Sequence, residues 1–146
     1  MKKSLLILSV LVAFTTTSLF AQCGKTVIWT APKAEFMDEA GNIQDTKEVN
    51  VIIKTTNKEI TIVHSDDVND TLKGTVKEDT CDWKEPFKNG KTILKADLAD
   101  HGGKYENSTI TIEAKESKIS ISIQMETPDG KKLVIRIPVE SYKEEA

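Results

Sequence analysis

The 146-residue chain is poor in the residues that most binding and catalytic sites require. It has one arginine, Arg136, two histidines, two cysteines and an aromatic content of only 5%. Arginine makes most of the bidentate contacts to bases and phosphates, so a single arginine with a net charge of −3 argues against nucleic-acid binding. The scarcity of rings likewise disfavours a large aromatic ligand pocket.

Recognisable catalytic and cofactor motifs are also missing. The chain has no Gly-rich phosphate loop and no zinc-type spacing of cysteine and histidine, so we expect no cofactor. Ser65 stands beside His64 but in no Gly-x-Ser-x-Gly turn, and triad members normally come from distant segments. An enzyme is therefore not indicated.

The N-terminus carries the clearest pattern in the sequence. Lys2 and Lys3 precede an apolar run over residues 5–14, which is too short to span a bilayer, and Ala21 is small enough to precede a signal-peptidase cut. We expect residues 1–21 to be a signal peptide and residues 22–146 to be a single exported domain, periplasmic or extracellular. No later apolar run is long enough to cross a membrane, so we expect no transmembrane segment after signal removal.

Cys23 and Cys81 have two competing uses. In an exported chain, two cysteines most simply pair with each other, and the sequence predicts a structural disulfide between them. The alternative is a lipid anchor on Cys23, close to the expected cleavage site. Gln22 disfavours that alternative, because lipoprotein processing requires a small residue immediately before the cysteine.

Period-two alternation of apolar and polar residues predicts strands along most of the chain. It is clearest in three segments, 109–114, 119–125 and 133–139, with the turn Thr127-Pro128-Asp129-Gly130 before the last. Strands are also expected at 49–55, 59–64 and 71–77, with Gly74 marking a bulge or a close backbone approach. Residues 91–100 fit either a strand or a helix that ends at Gly102.

The expected fold class is an all-β, single antiparallel domain of about eight strands. Strand spacing near ten residues fits either a small barrel or a β-sandwich. In architecture alone the chain resembles the lipocalin-like calycin barrels. Their N-terminal Gly-x-Trp signature is not matched, because residues 25–28 separate Gly24 from Trp29.

Two segments contain candidate site residues. Asp66, Asp67 and Asp70 could supply oxygen ligands to calcium, although a solvated turn explains these residues better, so no metal is expected. Trp83 and Phe87 lie close to Cys81 and are expected either to plug one end of the core or to form a binding surface.

These patterns favour a non-catalytic exported binding or accessory domain of the bacterial envelope, with an unknown envelope protein as its partner. One alternative is a carrier for a small apolar ligand held in a barrel cavity. The least favoured is a carboxylate-dependent hydrolase that uses Asp66, Asp67 or Asp100 beside His101.

Overall fold

The computed structural model describes residues 23–67 and 69–145, and the expected signal segment lies outside them. The described chain is all-β, as predicted. Its eleven strands are β1 (Thr26–Ala31), β2 (Ala34–Met37), β3 (Ile43–Lys47), β4 (Val51–Thr55), β5 (Glu59–His64), β6 (Leu72–Glu85), β7 (Asn89–Asp100), β8 (Gly103–Lys115), β9 (Lys118–Glu126), β10 (Lys132–Pro138) and β11 (Ser141–Glu145). No helix long and apolar enough to cross a membrane occurs among the described residues.

All eleven strands belong to one antiparallel sheet in the order β11-β1-β4-β5-β6-β7-β8-β9-β10-β2-β3. Several neighbouring strands are parts of one longer stretch of chain. Only Pro32 and Lys33 separate β1 from β2, and only Val139 and Glu140 separate β10 from β11. Likewise β3 and β4 are two halves of residues 43–55. The eleven strands therefore form eight stretches, although the strand number itself is higher than the eight or so expected from the sequence.

The first and last of these stretches pair with each other. Trp29 is the cross-strand partner of Tyr142, and Glu35 that of Arg136, in one common register. Between β10 and β11 the chain changes its pairing partner from β9 to β1. The N–H of Val139 donates to the carbonyl of Ile119 in β9, and the N–H of Glu140 donates to the carbonyl of Thr30 in β1. The eight stretches of chain therefore pair in a cyclic order, although the sheet formed by the described residues ends at β3 and at β11 and is not closed.

Alternating side chains build the core. In β9, Ile119, Ile121 and Ile123 are buried, whereas the serines between them face outward. The same alternation in β7 buries Leu94 and Leu98, so the 91–100 segment is a strand and not a helix. Burial of apolar surface is the main stabilising term here, since each large aliphatic side chain contributes about 1.5–3 kcal/mol.

Two features differ from the sequence-based expectation. The patterns do not predict β3, because all five of its residues are exposed and alternation carries no signal there. They also place the end of β6 near Lys77, but this strand continues to Glu85. A register shift between Val76 and Glu78 interrupts the period-two pattern at that point.

Candidate functional site

The end of the sheet that carries the β6–β7 turn is filled by aromatic rings. Phe87 lies in that turn with a φ of 53°, and its ring centroid is 5.6 Å from that of Trp29 and 4.3 Å from that of Tyr142. The ring centroid of Trp83 lies 5.8 Å from that of Phe87. Trp83 and Phe87 are only 6% and 7% exposed, so they plug the core and do not form a surface.

The two tryptophans at this end are anchored in the same way. The indole Nε1–H of Trp29 donates to the hydroxyl of Thr55 at 2.9 Å, and that of Trp83 donates to the hydroxyl of Thr92 at 2.9 Å. Each hydrogen bond satisfies an N–H that would otherwise be buried without a partner, which costs about 1–3 kcal/mol.

Cys23 and Cys81 lie next to the aromatic rings and form the predicted disulfide, with their Cα atoms 6.0 Å apart. This bond holds the segment before β1 against the middle of β6. The Thr92 hydroxyl also donates to the Cys81 sulfur at 3.7 Å. The disulfide and the aromatic cluster therefore share one polar contact.

A cavity of about 40 Å³ lies between the disulfide and the tryptophans. Its walls include Trp29, Thr55, Trp83 and Thr92. Pockets that bind small molecules usually measure about 300–1,000 Å³, whereas a space of this size holds at most a few waters. This end of the core is thus packed with the protein's own side chains.

The acidic turn after β5 forms its own hydrogen bonds. The side chain of Asp67 accepts from the N–H of Asn69 at 3.0 Å, and its carbonyl accepts from the N–H of Asp70 at 3.1 Å. Within residues 23–67 and 69–145, no group of three or more acidic, histidine or cysteine side chains is arranged to hold a metal ion. The structure does not bring Asp66, Asp67 and Asp70 together as ligands.

Asp100, the carboxylate considered beside His101, is occupied in a turn. It accepts from the N–H groups of Gly102 and Gly103 at 2.7 and 3.0 Å, and from the hydroxyl of Tyr105 at 3.1 Å. Burial and the adjacent Asp100 carboxylate raise the pKa of Tyr105. His101 itself is exposed. These groups stabilise the β7–β8 connection and leave no free carboxylate–histidine pair.

A buried carboxylate that the sequence reasoning missed lies where β2 meets β10. Glu35 is 5% exposed, and its Oε2 accepts from Arg136 Nε at 2.7 Å and Nη2 at 2.6 Å. Lys33 Nζ lies 3.0 Å from the other oxygen. Burial raises the pKa of Glu35, but hydrogen bonds and charge from Lys33 and Arg136 outweigh burial and hold the pKa below its usual value. The one sequence feature that could have pointed to this contact is that the chain has a single arginine, Arg136.

The two edge strands of the sheet are β3 and β11, and β3 is exposed along its whole length. Ile43 is 47% exposed, and among the described residues no strand pairs with the outer side of β3. One N–H of this edge is capped locally, because Thr46 donates to the side chain of Asp45 at 2.9 Å.

Comparison with known proteins adds no relative to this description, because no family model, no curated protein and no solved structure matches the chain.

Proposed function

We propose that this protein is a non-catalytic exported binding or accessory domain of the bacterial envelope, with a protein partner. The observation that carries the proposal is the free outer side of β3, where an extended segment of another protein can add a strand. The exposed side chains of this strand give such a partner specific contacts beside the backbone hydrogen bonds.

Export is supported by two features. The N-terminal residues have the pattern of a secretory signal, and the Cys23–Cys81 bond is of a kind that persists in oxidising compartments. The same bond argues against a lipid anchor at Cys23, because acylation needs the sulfur that Cys81 occupies.

The two alternative functions have less support. A carrier needs an apolar, ligand-sized cavity. The space beside the tryptophans is about 40 Å³, and two larger surface depressions of about 530 and 550 Å³ are lined mainly by polar and charged residues. A hydrolase that uses Asp100 beside His101 has less support, because Asp100 already accepts hydrogen bonds from Gly102, Gly103 and Tyr105 in its turn.

The test is site-specific crosslinking. A photo-reactive residue, p-benzoylphenylalanine, replaces Gln44 on β3, and in a matched control it replaces Gln124, an exposed glutamine on the outer face of β9. Irradiation in an envelope extract of the source bacterium should give a discrete protein adduct from position 44 and none from position 124.

The outcomes separate the binding function from its location. An adduct from position 124 alone would support a binding function but would show that the partner does not bind at the β3 edge. The absence of an adduct at both positions, with no partner retained on the immobilised protein, would overturn the proposal.

A further inference from the structure

A chain of hydrogen bonds leads from the core to one sulfur of the disulfide. Trp83 Nε1–H donates to Thr92 Oγ1 at 2.9 Å, and Thr92 Oγ1–H donates to Cys81 Sγ at 3.7 Å. Trp83 is 6% exposed, so its side chain is fixed by packing and holds the threonine hydroxyl in this orientation. Among the described hydrogen bonds, none of this kind reaches Cys23.

The two cysteines also differ in their backbone setting. Cys81 lies within β6, directly opposite Thr92 of β7. Cys23 lies in a turn before β1, next to Gly24, and both cysteines are half-buried. Cys23 is thus held by a turn, whereas Cys81 is held by the pairing of β6 with β7.

These differences determine which sulfur leaves when the bond is attacked. A hydroxyl that donates to a sulfur stabilises its thiolate and lowers the pKa of the thiol, and the thiol of lower pKa leaves faster. Two charged side chains, Lys25 and Asp79, also line the adjacent cavity. Among the described residues, the Thr92 hydroxyl is the hydrogen-bond donor that distinguishes Cys81 from Cys23.

We propose that Cys23 is a thiol-exchange site, at which a low-molecular-weight thiol forms a mixed disulfide while Cys81 departs as the thiolate. The attacking thiolate forms a new S–S bond to Cys23, and the electron pair of the broken bond goes to the Cys81 sulfur, which accepts the Thr92 hydrogen bond. One disulfide replaces another, so the step needs no further oxidant or reductant. The product has Cys23 modified and its turn released from β6.

The experiment treats the oxidised protein with reduced glutathione. The reaction is quenched with acid, free thiols are blocked with N-ethylmaleimide, and peptide mass spectrometry measures which cysteine carries each group. Glutathione on Cys23 with maleimide on Cys81 should exceed the opposite arrangement about threefold or more, from the usual strength of one hydrogen bond. An equal or reversed distribution, or no adduct on either cysteine, would overturn the proposal.

Matched variants assign the preference to Thr92. Thr92→Val removes the hydroxyl and should bring the two arrangements within about twofold, whereas Thr92→Ser keeps the hydroxyl and should preserve the excess. Thr55→Val removes the equivalent partner of Trp29, which has no contact with sulfur, and controls for loss of stability. An excess unchanged in Thr92→Val would reject the role of Thr92. If Thr92→Val does not fold, the serine variant decides, because loss of the excess in that variant would also reject it.

Discussion

Arg136 donates from both Nε and Nη2 to a single oxygen of Glu35, at 2.7 and 2.6 Å, across 101 positions of sequence. The two residues are direct cross-strand partners in β10 and β2. Their contact therefore joins the first stretch of the chain, which contains β2, to the last stretch, which contains β10. Because Glu35 is almost fully buried, its charge depends on Arg136 and Lys33 for compensation.

Removing the arginine should destabilise the fold. We expect Arg136→Leu to lower the free energy of unfolding by about 2 kcal/mol, because a buried carboxylate then keeps only Lys33 as a partner. Chemical denaturation measures this change. Lys54→Ala breaks the exposed Lys54–Glu145 pair and should cost below about 1 kcal/mol. Equal losses in the two variants would contradict a special role for Arg136.

The stability should also depend on pH through Glu35. Its pKa in the folded protein lies below the unfolded value, so its contribution is complete above the unfolded pKa and disappears as pH falls through the folded pKa. Thermal unfolding from pH 7 down to pH 3 should show a decreasing Tm. Glu35→Gln should flatten part of this decrease, and a profile identical to the wild type would contradict the assignment.

Loss of the disulfide should be costly as well. The bond closes a loop between residues separated by 58 positions, which in the chain-entropy model corresponds to about 4 kcal/mol. We expect the double variant Cys23→Ser/Cys81→Ser to lose about that amount in denaturant titrations. Wild-type protein under reducing conditions is the control and should match the variant, whereas a variant as stable as the oxidised protein would refute the estimate.

Phe87 should be the most sensitive residue of the aromatic end. Phe87→Ala removes a ring that touches Trp29, Trp83 and Tyr142, and the cavity left behind should cost about 3–5 kcal/mol. Tryptophan fluorescence should shift to the red as water reaches the two indoles. Tyr142→Phe keeps the ring of a residue that is 45% exposed and should change little. An unshifted spectrum in Phe87→Ala would argue against the plug.

Gly74 should tolerate no side chain. A Cβ atom there would lie 2.9 Å from the carbonyl oxygen of Asp97 and 3.1 Å from Ile60, and it would also overlap Leu98. We expect Gly74→Ala to destabilise the protein by about 1–3 kcal/mol, measured by thermal unfolding. Gly41→Asn is the control, because nothing lies within 4 Å of that position and asparagine accepts its positive φ. Similar Tm values for the two variants would disprove the steric argument.

Local patterns were sufficient to predict much of this architecture. Alternation located β5 and the β8–β9–β10 meander, since one buried face imposes a period of two on the sequence. It also identified Gly74 as the site of a bulge or close approach, and the structure shows the close approach. The pattern gave no signal for β3, where both faces are exposed and nothing constrains the alternation.

The candidate site was less predictable. Trp83 and Phe87 were recognised as unusual, but whether they form a plug or a surface depends on Trp29 and Tyr142, which reach them from the two ends of the chain. Glu35 was missed for the same reason, because Arg136 and Lys33 become its partners only after β2 pairs with β10.

The sequence by itself determined the all-β class, the positions of the strongly alternating strands and the pairing of two cysteines, because these follow from neighbouring residues and from cysteine count. Only the tertiary structure decided the cyclic pairing of the first and last stretches, the burial of Glu35 and the free edge of β3. Those features depend on cross-strand register between segments about a hundred residues apart, and register is set by the folded sheet as a whole.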